Sequence, residues 1–289
     1  MKSITRSAFA MLLMLALSLV VASGAQAQSQ GLSVDIVNGT KAAIPIAVVP
    51  FGKETAGVAP STDVADVVRM DLARSGKFRT LTRGDVIELP TRGDEIKFPT
   101  WKLLKQDYVV VGHIDDADGG AYKVNFELWD VNRQQGLLKL SYTAQAGDLR
   151  GVAHQIADQI YEKILGVRGA FWTRIAYVTA VGTGRNIDYS LIVADSDGYN
   201  PQVVVRSKEA LLSPSWSPDG NELAYVSFES GNSAIYVQNI TTGSRRLVAS
   251  HAKGINGAPA FSPDGSKLAV SLSYVGNPEI FVVDLASHQ

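Results

Sequence analysis

With 289 residues, 46% of them hydrophobic and 19% charged, the chain has the composition of a globular protein long enough for two domains of common size, which argues against intrinsic disorder. Its 27 basic and 28 acidic residues nearly cancel, which excludes the basic surface that nucleic acid requires. The absence of cysteine excludes disulfides, thiolate metal sites, a cysteine nucleophile and the acylated cysteine of a bacterial lipoprotein.

Lys2 and Arg6 precede an uncharged apolar run from Ala8 to Val21, and Ala25-Gln26-Ala27 supplies a small-x-small pattern. This is the layout of a secretory signal peptide with cleavage after Ala27. The run of 14 residues is too short for a spanning helix, which needs roughly 20. Export would leave a water-soluble chain, neither membrane-inserted nor lipid-tethered. Residues 28–43 read as a strand-like arm, with one alternating stretch of Leu32, Ser33, Val34, Asp35, Ile36 and Val37 stopped by the turn pair Asn38-Gly39.

Ile44 to Phe51 is a continuous apolar run bounded by prolines, the pattern of a strand buried on both faces. Asp63 to Ser75 has helical periodicity, with Val64, Val67, Val68 and Leu72 on one face. Ser61 or Thr62 is expected to cap that helix and Gly76 to stop it. A strand at Phe78–Leu81, a short helix at Trp101–Lys105 and a second continuous apolar strand at Tyr108–Ile114 follow. Asp118-Gly119-Gly120 turns the chain into an alternating strand, Tyr122–Asp130. A turn at Gln135-Gly136 reverses it into Leu137–Tyr142, an antiparallel meander expected to keep one face wet. Asp148 to Leu165 reads as an amphipathic helix, with Val152, Ile156, Ile160 and Ile164 on its apolar face and Gly166 at its end. Residues 44–168 are therefore expected to form a mixed α/β domain.

Beyond residue 170 the helical period disappears and an internal repeat takes over. Ser215 to Ser227 (SWSPDGNELAYVS) recurs from Ala260 to Ser271, and Ile235-Tyr-Val recurs as Ile280-Phe-Val, both at an offset of 45 residues. A fainter copy lies in Leu191-Ile-Val with Asp197-Gly198. Pro218 and Pro263 preset the first corner of a turn, Asp219 and Asp264 fill the second, and Gly220 and Gly265 accept positive φ. Trp216 and Phe261 are placed to pack between neighbouring sheets. This period with short strands marks a β-propeller blade; a solenoid is the alternative. The smallest closed propeller needs about 180 residues at this period, whereas 171–289 supply 119. The fold class expected is α+β, an α/β domain followed by an incomplete propeller at 169–289. The sequence stops where an earlier copy continues into a further strand, which reads as an end in mid-blade.

The Ser-Pro-Asp-Gly turn preceded by an aromatic resembles the PD40 propeller repeats, shared by TolB proteins, tricorn-type proteases and the prolyl-oligopeptidase group. The order of α/β region, Arg174-Ile-Ala-Tyr-Val, Asp195-Ser-Asp-Gly-Tyr-Asn200, Ser213 to Gly220 and Asn256 to Gly265 resembles the TolB family of the Tol-Pal envelope system. Pro45 to Phe51, Asp71 to Phe78 and Gly169-Ala-Phe171 are also similar to that family. The resemblance implies a six-bladed propeller, of which two to three blades are present, in a periplasmic adaptor that is not an enzyme and uses no cofactor. It implies that the propeller binds the lipoprotein Pal and the arm reaches TolA, in outer-membrane invagination during division and outer-membrane integrity. Other outer-membrane proteins and colicins are further implied partners. The positions matching the Pal face are the loop Ile255, Asn256, Gly257, Ala258 and Pro259, together with Leu212, Ser213 and Pro214. Ile255 stands where relatives carry histidine, and the nearby His251 reads as a solvated loop residue.

The four histidines, His113, His154, His251 and His288, have no metal-ligand spacing among themselves, and neither a nucleophile elbow nor a phosphate loop is present. His113 with Asp115 and Asp116 reads as strand-end polarity rather than a base and its orienting acid. Asp115, Asp116 and Asp118 lack the glutamate of a calcium loop, because Phe126 stands in its place. Gly182-Thr-Gly184 is a turn before a strand. Two other readings remain: the regulatory propeller of a serine peptidase, and a sugar-binding propeller, which would display aromatic rings on its loops.

Overall fold

The computed structural model describes residues 43–53, 59–184, 186–251, 253–274 and 276–287. The signal peptide, the arm Leu32–Val37 and His288 lie outside them.

Strands β1 (Ile44–Val48), β2 (Gly52–Lys53), β3 (Phe78–Thr80), β4 (Tyr108–Asp116), β5 (Tyr122–Asp130) and β6 (Gln135–Ala144) form one mixed sheet of order β3-β1-β4-β5-β6, with β2 beside β4. The pairs within β3, β1 and β4 are parallel, whereas β4, β5 and β6 run antiparallel. Helices α1 (Val64–Arg74) and α3 (Leu149–Leu165) cover one face and α2 (Phe98–Leu103) the other. The continuous apolar runs in β1 and β4 follow from this. Ile46, Val48, Val110 and Ile114 face α1 and α3, while Ala47, Val49, Val109 and Val111 face Trp101 of α2.

Several details differ from the sequence expectations. Asp63, rather than Ser61 or Thr62, caps α1 by accepting the Asp66 N–H at 3.1 Å; it stands directly before the first helical residue, where a side-chain acceptor can reach the free amides. The short helix starts at Phe98, because Pro99 fits its first turn, and Lys105 already has φ 53°. The reversal between β5 and β6 occupies 131–134, with Gln134 at φ 55°. The middle of β5 is not wet on one face: Glu127 is buried, accepting from the Trp129 indole at 2.9 Å and pairing with Lys139 at 3.0 Å. Gly93 permits this closeness, since a Cβ there would lie 2.2 Å from the Trp129 ring.

Three antiparallel sheets follow. They comprise β7 (Arg174–Thr183), β8 (Asn186–Asp195) and β9 (Gln202–Ser207); β10 (Leu211–Trp216), β11 (Glu222–Ser227), β12 (Ala234–Asn239) and β13 (Arg245–Ala249); and β14 (Asn256–Phe261), β15 (Lys267–Leu272) and β16 (Glu279–Asp284). Each strand of the third sheet starts 45 residues after its counterpart in the second. One core joins Leu191, Val193 and Val205 of the first sheet to Leu211, Leu223 and Tyr225 of the second, with Trp216 against it. Another joins Val226, Ile235 and Val237 to Leu268, Val270 and Leu272, with Phe261 against it. Sheet faces packed in series are the architecture of propeller blades. The two Ser-Pro-Asp-Gly turns are superimposable in chemistry. Gly220 and Gly265 have φ 70° and 74°, and the Ser217 and Ser262 hydroxyls each donate to the following aspartate at 2.6 Å. No helix among the described residues is long and apolar enough to cross a membrane.

Candidate functional site

Strands β10 and β14 open their sheets and pack side by side. Both are broken at the same point. Leu212 faces Val226 and Ser215 faces Ala224 across β11; Gly257 faces Ser271 and Ala260 faces Ala269 across β15. Each bulged strand thus spends one residue more than its partner, which twists it and re-aims its side chains. Ser213 and Ala258, 45 residues apart, sit in the left-handed region at φ 51° and 47°. Neither is glycine, and such residues cost about 1–2 kcal/mol each, so packing around them must hold the bulge.

Leu212 and Ile255 are exposed large apolar side chains, Ser213 and Ala258 are exposed, Pro214 and Gly257 are half-buried, and Pro259 is buried. Asn256 is fully buried. Its amide donates to Ser233 O at 2.7 Å and His251 O at 3.1 Å, its carbonyl accepts from His251 N at 3.1 Å, and its backbone N–H donates to Ser233 Oγ at 2.9 Å. The sequence-predicted loop Ile255–Pro259 is therefore mostly strand, because β14 begins at Asn256. Asn256 fastens the third sheet to the second rather than presenting a contact. Gly254, at φ 85°, lies so close to Ser273 that a Cβ would be 2.6 Å from its backbone carbon, and Ser273 Oγ accepts the Ile255 N–H at 2.7 Å. His251 is not a solvated loop residue: its ring stacks on Tyr274 at 4.2 Å, and Tyr274 in turn meets Phe281 at 5.5 Å.

A second polar concentration lies where α3 meets the turn after β8. Arg150 pairs with Asp197 and lies over the Tyr199 ring at 3.9 Å. Burial raises the Asp197 carboxyl, but the Tyr199 N–H and the Arg150 charge outweigh it and hold the group below its ordinary range. Asp158 accepts from the backbone N–H of Phe171 and Trp172 at 2.8 and 3.0 Å, and Ser196 Oγ donates to Phe171 O at 2.7 Å. Arg174 donates to Gly220 O at 2.7 Å and lies 5.0 Å from the Trp216 ring centre. These bonds tie the segment between helix and first blade on both sides. Nothing in the local sequence sets Arg150 and Asp158 apart from the other polar residues of this amphipathic helix, since their partners lie beyond residue 170.

His113 Nε2 is 3.6 Å from Asp115, which accepts from Asn125 at 3.1 Å, and Asp116 pairs with Lys53 at 3.0 Å. The adjoining cleft of about 590 Å³ is lined by Arg92, His113, Glu127, Trp129 and Lys139, among others.

Residues 32–137 match the model of the TolB amino-terminal domain and residues 161–289 that of the TolB beta propeller domain. The chain is 60% identical over 241 residues to the Tol-Pal system protein TolB of Xanthomonas euvesicatoria pv. vesicatoria, covering 83% of this chain and 55% of that protein. It is equally similar, over 240 residues, to the protein of the same name from Xanthomonas oryzae pv. oryzae, of which it covers 54%. The crystal structure of TolB from Acinetobacter baumannii superposes with a TM-score of 0.74 at 38% identity, covering 86% of this chain and 59% of that one. The chain thus spans about half the length of the curated relatives it matches.

Proposed function

The chain belongs to the TolB family of Tol-Pal system proteins, and on that premise we propose that it is a periplasmic adaptor without catalytic activity. In this reading the propeller binds the lipoprotein Pal, and the arm Leu32–Val37 communicates with TolA. The output is outer-membrane invagination at division and outer-membrane integrity. The corresponding division of the chain is a signal peptide at 1–27, the arm at 28–43, the α/β domain at 44–168 and the propeller portion at 169–289.

The observation that carries the Pal site is the pair of strained bulges. The first lies directly after exposed Leu212 in β10, and the second three residues after exposed Ile255, which immediately precedes β14. Strain held in place by packing is often found at binding surfaces, and exposed large apolar side chains are what a docking partner buries. The test is calorimetric titration of the chain with the soluble domain of Pal. Saturable binding weakened at least tenfold by Ile255→Glu or Leu212→Glu, in variants with unchanged circular dichroism, supports the reading. Binding indifferent to both substitutions removes the site, and no binding by the folded chain removes the adaptor role assigned to these blades.

A further inference from the structure

Helix α3 and the end of β8 bring three potential metal ligands together: His154, Asp195 and Asp197 offer ligand atoms all within 4.8 Å of one another. His154 is 1% exposed, and its Nδ1 lies 2.6 Å from Asp71 Oδ2. With a carboxylate accepting there, Nδ1 carries the hydrogen, which leaves Nε2 as the nitrogen that can offer a lone pair to an ion. That atom is buried and makes no hydrogen bond among the described residues, a condition that costs about 1–3 kcal/mol when nothing fills it. Beside it is a cavity of about 310 Å³ lined by His154, Trp172, Thr173, Arg174 and Asp195.

We propose that His154 Nε2 and the carboxylates of Asp195 and Asp197 bind a divalent transition-metal ion of the zinc type, with water completing the coordination. A ligating histidine commonly donates its other N–H to a carboxylate, which fixes the tautomer and raises the ring's basicity; Asp71 fills that position. One imidazole and two carboxylates suit zinc or a neighbouring first-row ion, whereas calcium and magnesium favour oxygen-only shells. The local charge allows a cation. Arg150 pairs with Asp197 and Arg74 with Asp71 at 2.8 Å, so two guanidinium groups face three carboxylates. Arg174 turns its charge to Gly220 O and Trp216. Among the described residues Asp195 has no cationic partner. The ion would share Asp197 with Arg150 and clamp α3 to the first blade.

The probe is zinc chloride titrated into the full chain after chelator treatment, with cobalt(II) as a spectroscopic substitute. One equivalent should bind, and cobalt should give a ligand-field spectrum unaffected by excess magnesium. Asp195→Asn, at a half-buried position that folding should tolerate, is expected to weaken binding at least tenfold, and Asp71→Asn by about 10–100-fold. Asp188→Asn, outside the cluster, should leave it unchanged. Absence of saturable uptake overturns the proposal, as does uptake with the same affinity and cobalt spectrum in the folded Asp195→Asn protein.

Discussion

Asp71 of α1 and His154 of α3 meet side chain to side chain at 2.6 Å, each with only 1% of its side chain exposed. They are 83 residues apart and cross the contact between the two helices that cover one face of the first sheet. Arg74 also reaches Asp71, so the carboxylate is satisfied from two directions. Replacing Asp71 with alanine leaves a buried imidazole nitrogen and the Arg74 guanidinium without their partner and should lower unfolding stability by roughly 3 kcal/mol or more. Asp71→Asn, which keeps the volume and one acceptor, should cost less. Denaturant midpoints followed by circular dichroism distinguish these outcomes.

Asn256 and Ile255 are neighbours with opposite duties. Asn256→Ala leaves polar groups of Ser233 and His251 without partners and should cost about 2–4 kcal/mol, since each buried unsatisfied group costs about 1–3 kcal/mol and such costs are not additive. Ile255→Ala should alter stability by less than about 0.5 kcal/mol, as at other surface positions. A partner-binding loss in Ile255→Ala with an unchanged unfolding midpoint is then a surface effect, whereas the same loss in Asn256→Ala must be corrected for unfolding.

Glycine tolerates the backbone that Ala258 is forced to adopt. Ala258→Gly should be neutral or stabilising by up to about 1 kcal/mol, and Ala258→Val destabilising by about 1–2 kcal/mol. Ser213, its counterpart in the second sheet, should show the same order. A valine variant as stable as the parent would mean that the bulge relaxes without cost.

The aspartates of the repeat turns should leave a signature in acid. The Ser262 hydroxyl, followed by the Ser266 N–H, holds the Asp264 carboxyl down to about 2. Asp219 is lowered in the same way, first by Ser217 and then by Asn221. A carboxyl depressed in the folded state contributes stability above its ordinary pKa and loses it as pH falls through the folded value. The thermal midpoint of the parent should therefore exceed that of Asp264→Asn above about pH 4, and the gap should close toward about pH 2. A gap independent of pH would assign the effect of asparagine to geometry instead of charge.

Local sequence was sufficient wherever the physics is local. Continuous apolar runs at Ile44–Phe51 and Tyr108–Ile114 announced strands covered on both faces, and the 45-residue period with its Ser-Pro-Asp-Gly turns announced the blades, because turn chemistry and side-chain alternation act over a few residues. Asp71 and His154 were also visible as polar residues on apolar helix faces, but nothing in the chain said that they face each other. That pairing, the approach of Asp195 and Asp197 to the same imidazole, and the burial of Asn256 depend on how helices and sheets far apart in sequence come to pack. Only the folded chain fixes which side chains are driven out of water together, and so which polar groups must satisfy one another.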